Sequence, residues 1–107
     1  APEKPKEDPR RAREEAVRAF LEAWRREDVD AAYGMLSSAA KKRTGRREFG
    51  ERLMGHPFRW ALKEGYKVSI TDQGANVAAT QRFLMVRMIK EERLRLVEEG
   101  GRYLIDW

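Results

Sequence analysis

The apolar positions of this chain change their period near its midpoint. Val17, Phe20, Leu21 and Trp24 fall at i, i+3, i+4 and i+7, with Ala12, Ala16 and Ala23 beside them, which is the stripe of a helix with one buried face. Asp8 is placed to cap this helix and Pro9 to open it. Glu14 with Arg18, and Glu22 with Arg26, are i,i+4 pairs in the favourable order, and the helix is expected to end near Glu27 and Asp28. The same spacing in Val29, Ala32, Tyr33 and Leu36 predicts a short second helix, capped by Asp28 or Asp30 and extendable through Ser37 to Ala40. Lys41 to Arg47 reads as a basic turn. Thr44 then caps a third helix carrying the apolar pair Phe49 and Leu53, with Met54 beside them, and Gly55-His56-Pro57 stops it.

Beyond Pro57 the period becomes two. Phe58, Trp60 and Leu62 alternate with Arg59, Ala61 and Lys63, and after a break at Glu64-Gly65 the residues Tyr66, Val68 and Ile70 alternate with Lys67, Ser69 and Thr71. Asp72-Gln73-Gly74 is a turn signal. A long strand is expected from Asn76 to Ile89, a turn within Lys90 to Glu92, and a strand through Leu94 and Leu96. Glu98-Glu99-Gly100-Gly101 then makes a hairpin whose glycines supply positive φ, and a last strand places Tyr103, Ile105 and Trp107 on one face. The long strand is apolar on both parities, with Val77, Ala79, Phe83, Met85 and Ile89 on one and Ala78, Leu84, Val86 and Met88 on the other. A strand covered on one side only alternates cleanly, so this pattern predicts helices over one face and a second subunit over the other, a homodimer through the sheet. Helices followed by hairpin-linked strands make an α+β architecture: three N-terminal helices packed on a curved antiparallel sheet.

At 107 residues the chain has room for one core. The expected organisation is a flexible lead-in over residues 1–8, APEKPKED, and a single domain over residues 9–107. No apolar run approaches the length that spans a bilayer. The absence of cysteine excludes disulfides, thiolate metal sites and cysteine nucleophiles. Arginine far exceeds lysine and glutamate is frequent, a composition compatible with a thermophilic source or a GC-rich genome. An Ala-Pro start followed by a charged stretch reads as a mature terminus left after signal-peptide removal, or as a trimmed chain. Export is therefore expected, with a cytoplasmic location left open, and a membrane would be reached only through an N-terminal signal or lipid anchor. The net charge of +5 concentrates in one short stretch, where Lys41, Lys42, Arg43, Arg46, Arg47 and Arg52 face only Glu48 and Glu51.

The stretch AVRAFLEAWRREDVDAAYGMLSSAAKKRTGRREFGERL has an aromatic-rich helix ending in an acidic turn, then a near match to the pattern D-x-x-x-A-Y-x-L-L-S with Met35 at its first leucine, then a capped helix carrying a phenylalanine. Asp28, Ala32, Tyr33, Leu36, Ser37, Thr44 and Phe49 stand in those places. The terminal GRYLIDW is similar to a closing G-x-W-x-I strand, with Tyr103 where tryptophan is commoner. In these motifs the chain resembles the ketosteroid-isomerase-like, nuclear-transport-factor-like cone-fold superfamily. Its small exported or lipoprotein-type members, and the non-catalytic domain preceding some penicillin-binding transpeptidases, are the nearest in flavour. The resemblance implies the cone fold, and it implies that an enzyme of this kind would hold an acid or base inside the cone. The matching motifs themselves carry no catalytic group.

Seven carboxylates of the strand half are candidates for such a group. Glu64, Asp72, Glu91, Glu92, Glu98 and Glu99 fall in or beside predicted turns, and Asp106 has parity opposite to Tyr103, Ile105 and Trp107, so it is expected to point outward as a surface carboxylate. His56 is the single histidine and reads as a helix-terminus residue, with no partner at metal-ligand spacing. Ser37 and Ser38 read as hydrogen-bonding helix ends. No catalytic residue, metal site or cofactor is assigned. The basic patch Lys41, Lys42, Arg43, Arg46 and Arg47 has the charge for phosphate or nucleic acid, but it is one turn long without interleaved aromatics and reads as a solvated loop, so nucleic acid is disfavoured. Trp24, Tyr33, Phe58, Trp60, Phe83 and Trp107 either fill the core or line a pocket for a small apolar ligand. Gln81 and Arg87, sharing parity with Phe83 on one long strand, would be its polar anchors for an anionic or carbonyl group. The expected function is a non-enzymatic binding or accessory domain. A cone-fold isomerase, dehydratase or hydrolase is the alternative, and phosphate or nucleic-acid binding through residues 41–47 the third.

Overall fold

The computed structural model describes residues 9–107, the side chain of Phe83 excepted, so the expected lead-in and the Asp8 cap lie outside the described residues. Five helices, α1 (Pro9–Arg25), α2 (Val29–Gly34), α3 (Ser38–Arg43), α4 (Arg46–Gly55) and α5 (Phe58–Leu62), precede four strands. The strands β1 (Tyr66–Ile70), β2 (Gly74–Phe83), β3 (Val86–Glu99) and β4 (Arg102–Ile105) form an antiparallel meander in the order β1-β2-β3-β4. The architecture is α+β, with N-terminal helices packed on a four-stranded antiparallel sheet.

The first helix ends where its sequence stops being amphipathic. The N–H of Glu27 donates to the Trp24 carbonyl at 3.0 Å and that of Asp28 to the Ala23 carbonyl at 2.8 Å, with Glu27 left-handed at φ 62. These are the two bonds of a Schellman stop. Asp28 then accepts from the Ala31 N–H at 3.1 Å and so caps α2. Two short helices, α3 and α5, form where a helix extension with a basic turn and a strand were expected. Residues 38–43 do not extend α2; they form a separate helix, because Ser37 leaves the helical backbone and accepts from the Ala40 N–H at 3.1 Å. Lys41, Lys42 and Arg43 form its last turn, where cations suit the helix C-terminus. Thr44 ends α3, and Gly45 takes the cap position of α4 that was expected for Thr44.

Residues 58–62, expected as a strand, are helical. Phe58, Ala61 and Leu62 are buried at i, i+3 and i+4 while Trp60 stands in solvent, so the burial period is that of a helix. Over five residues an alternating pattern and a helical one share most of their apolar positions, and the neighbouring helices decide between them.

The expected strand from Asn76 to Ile89 turns back on itself at Leu84-Met85. Phe83 pairs with Val86, Gln81 with Met88, Val77 with Glu92 and Ala75 with Leu94. No turn interrupts residues 90–92, and Glu91, Glu92, Glu98 and Glu99 lie within β3. Both parities of residues 76–89 are apolar because the segment is two strands and their turn, so its pattern carries no argument for or against a second subunit over the sheet. Ala75, Val77 and Ala79 face the helices, and the other face of β2 and β3 presents Asn76, Arg82, Arg87, Glu91, Arg93 and Arg95 to solvent. The hairpin at Gly100-Gly101 forms as expected, with φ of 59 and 79.

One core holds the layers together. Val17, Phe20, Leu21 and Trp24 of α1 meet Phe49 and Leu53 of α4, Phe58 and Leu62 of α5, Val77 of β2 and Ile105 of β4. Leu36 makes a parallel bridge to Ile105, with the Ser37 N–H donating to the Ile105 carbonyl at 2.8 Å and the Ile105 N–H to the Met35 carbonyl at 2.9 Å. Gly74 permits a close backbone approach, since a Cβ there would lie 1.9 Å from the Leu94 carbonyl oxygen. Among the described residues no helix is long and apolar enough to cross a membrane.

Candidate functional site

The space between helices and sheet is filled by aromatic rings. Trp107 lies 5.4 Å from Phe49, 5.6 Å from Trp24 and 5.8 Å from Phe20, and Trp24 lies 5.6 Å from Phe58, all centroid to centroid in tilted or edge-on arrangements. Such geometries suit the ring quadrupole. The Trp24 indole N–H is satisfied by the Leu53 carbonyl at 3.0 Å.

The sequence-predicted pocket residues therefore separate. Trp24, Phe58 and Trp107 come together as packing. Tyr33 joins them at the margin, 5.7 Å from Phe49, and its hydroxyl donates toward the Lys41 and Thr44 carbonyls. Trp60 is on the far side of α5, 52% exposed, with Arg59 and Lys63 over its ring at 4.5 and 5.1 Å. Gln81 and Arg87 lie on opposite faces of the β2–β3 ribbon, because the turn at Leu84-Met85 inverts the parity that linked them. The Phe83 side chain is outside the described residues. A hollow of 530 Å³ lies elsewhere, at the β1–β2 turn, lined by Thr71, Asp72, Gln73, Asn76, Arg93 and Arg95 among others.

Asp106 does not point away as a free surface carboxylate. It sits just past the end of β4, its side chain only 14% exposed, and accepts from Arg43 Nη2 at 2.8 Å and from Ser37 Oγ at 3.0 Å. Strand parity ceases to govern facing once the strand has ended. The Arg43 hydrogen bond holds the carboxyl below the ordinary aspartate value, the Ser37 bond assists, and partial burial opposes them. Arg43 also donates to the Trp107 carbonyl at 2.9 Å. Ser37, Arg43 and Asp106 thus clasp the start and end of α3 to the closing strand. Glu99 does the same for Ser38, whose hydroxyl and N–H hold its carboxyl low.

Arg46, Arg47 and Lys41 of the basic patch are engaged locally. Arg46 is bound to Asp30, which lowers the carboxyl and raises the guanidinium, and so Asp30 is a partner of α4 rather than a cap. Arg47 pairs with Glu51 at 3.5 Å, and Lys41 lies 5.9 Å from the Tyr33 ring centre. Lys42 is exposed on α3.

One pairing was not legible in the sequence. His56 Nε2 lies 3.2 Å from Glu92, and its Nδ1 accepts from the Phe58 N–H at 3.1 Å. The ring proton therefore sits on Nε2, toward Glu92. Glu92 faces the helices opposite Val77, since β3 continues where a turn was expected. Both imidazole nitrogens are occupied, so the ring acts as a strut joining α4, α5 and β3.

The comparisons with known proteins agree with this geometry. The family model of the NTF2-like N-terminal transpeptidase domain matches residues 12–56, which run from α1 to the end of α4. No curated protein matches the chain. The matched segment contains the Schellman stop, the Asp28 cap, the Ser37 cap and Phe49, all of which position the helices over the sheet. Over residues 12–56 the chain is similar to the NTF2-like N-terminal transpeptidase domain, and its helices packed on a four-stranded antiparallel sheet make an NTF2-like α+β fold.

Proposed function

We propose that this domain is a non-enzymatic accessory module, exported and working beside a transpeptidase. The observation that carries the reading is the filled cone. Trp24, Trp107, Phe20, Phe49 and Phe58 occupy the space in which an enzyme of this fold would hold a substrate next to a buried acid or base. The family match supports the association with transpeptidases and, through it, export.

For a cone-fold enzyme the histidine–carboxylate pair on hand is His56 with Glu92, each side chain about a third exposed. Its nitrogens are already committed to Glu92 and to the backbone of Phe58, which disfavours proton transfer to a substrate.

Titration of the ¹⁵N-labelled chain with small carboxylates, aromatic acids and a sterol-like ligand tests the proposal. The Trp24 and Trp107 indole resonances are expected to stay in place. Saturable displacement of either by one of these compounds would mean an open cone and would overturn the reading.

A further inference from the structure

The far end of the β2–β3 hairpin is a finger that pairs with no third strand. β1 pairs with residues 75–79 and β4 with residues 96–99, leaving residues 80–83 and 86–89 paired with each other alone. At its tip Leu84 is 90% exposed and Met85 100% exposed, with Val86, Met88 and Ile89 exposed behind them. Leu84 and Met85 form the two-residue turn, where Asn and Gly are the usual occupants. Leu84 holds φ at 56, a left-handed backbone that disfavours a branched side chain. Local folding preferences therefore argue against apolar residues here, and the core makes no use of them.

Just below the tip, Arg82 stands directly across from Arg87. Like charges in that position repel. The Glu64 carboxylate accepts from the backbone N–H of Arg82 at 2.6 Å. Residues 80–90 include three cations, Arg82, Arg87 and Lys90, and no acid. A convex apolar tip with a cationic collar complements a medium that is apolar inside and anionic at its surface.

We propose that this hairpin docks the protein on an anionic lipid bilayer. Leu84 and Met85 enter the boundary of the acyl region, and Arg82, Arg87 and Lys90 meet lipid phosphates at the headgroup level. A bilayer receives a convex finger without needing a shaped groove. A second copy fits less well, because a two-fold contact through the tip would set one cationic collar against its equal. The proposal stands apart from the accessory role and requires no anchor or leader.

Since the chain has no cysteine, Met85→Cys carries an environment-sensitive fluorophore at the tip alone, and Ser69→Cys on the exposed side of β1 serves as control. With vesicles of phosphatidylglycerol mixed into phosphatidylcholine, emission at position 85 is expected to shift to the blue and that at position 69 to stay. The bound fraction of the unlabelled chain in a sedimentation assay is expected to fall about tenfold or more in R82E/R87E, and to be lost in L84D/M85D. Circular dichroism of these surface variants checks that they fold, and the label reports on the native arginines in any case. Absence of binding at low salt, or binding that survives L84D/M85D, overturns the proposal. So does a blue shift at position 85 that grows with protein concentration in the absence of lipid, which would assign the tip to a second copy.

Discussion

The indole of Trp24, on the first helix, donates to the backbone carbonyl of Leu53 on the fourth, at 3.0 Å and without access to water. The same carbonyl receives the N–H of His56 at 3.4 Å, a longer bond at the helix end. One side chain thus terminates one helix against another and at the same time forms the centre of the aromatic cluster.

Trp24→Phe keeps a ring in the cluster but removes the donor. A destabilisation of about 2 kcal/mol is expected, and about 3–5 kcal/mol for Trp24→Ala, which adds a cavity. In a domain of this size each ~1 kcal/mol lowers Tm by roughly 4–8 °C. Urea unfolding of both variants is the check, and a purely volumetric role for Trp24 would leave Trp24→Phe costing well below about 2 kcal/mol.

Asp106 predicts an acid limb to stability. Its carboxyl lies below the ordinary value because Arg43 and Ser37 donate to it in the folded state. A carboxyl with a depressed folded value contributes stability that is present above its unfolded value, near pH 4, and is lost as pH falls through the folded one. Asp106→Asn is expected to cost about 1–2 kcal/mol at neutral pH, moderated because Arg43 is half exposed, and to cost progressively less as pH falls below the ordinary aspartate value near 4. Stability curves between those pH values, compared with wild type, are the check.

Tyr66 predicts the opposite limb. Burial pushes its hydroxyl up to about 12, and the hydrogen bond that it donates to Glu22 at 2.6 Å reinforces the shift. A group whose folded value is raised contributes stability that is whole below its unfolded value, near pH 10, and is lost as pH rises toward 12. Tyr66→Phe is expected to be less stable than wild type at pH 8 and to show a shallower decline above pH 10. Parallel declines of the two proteins in alkaline denaturation would refute the coupling.

The helical half was legible because its signals are local. The i, i+3, i+4, i+7 stripe of Val17, Phe20, Leu21 and Trp24 can be buried in only one way, and Asp28 caps a helix that begins beside it. The closing glycines were legible for the same reason, since positive φ at Gly100 and Gly101 follows from the residue type. The family resemblance rested on this local grammar, and the match to residues 12–56 falls on it.

What the sequence could not decide depended on partners distant along the chain. Phe58, Trp60 and Leu62 satisfy either period, and contact with the helices and strands around them made the segment helical. Leu84-Met85 carries no turn residue, so the hairpin was invisible, and with it the parity that separates Gln81 from Arg87 and turns Glu92 toward His56. Asp106 looked outward by strand alternation, yet its orientation is set by Ser37 and Arg43, more than sixty residues earlier. Sequence by itself determined which segments are amphipathic and where the backbone needs caps and glycines, because those are properties of a few adjacent residues. Only the tertiary structure decided whether the cone is filled, which carboxylates are bound and which apolar residues are left outside, because each is a competition for space among elements that meet only after the chain has folded.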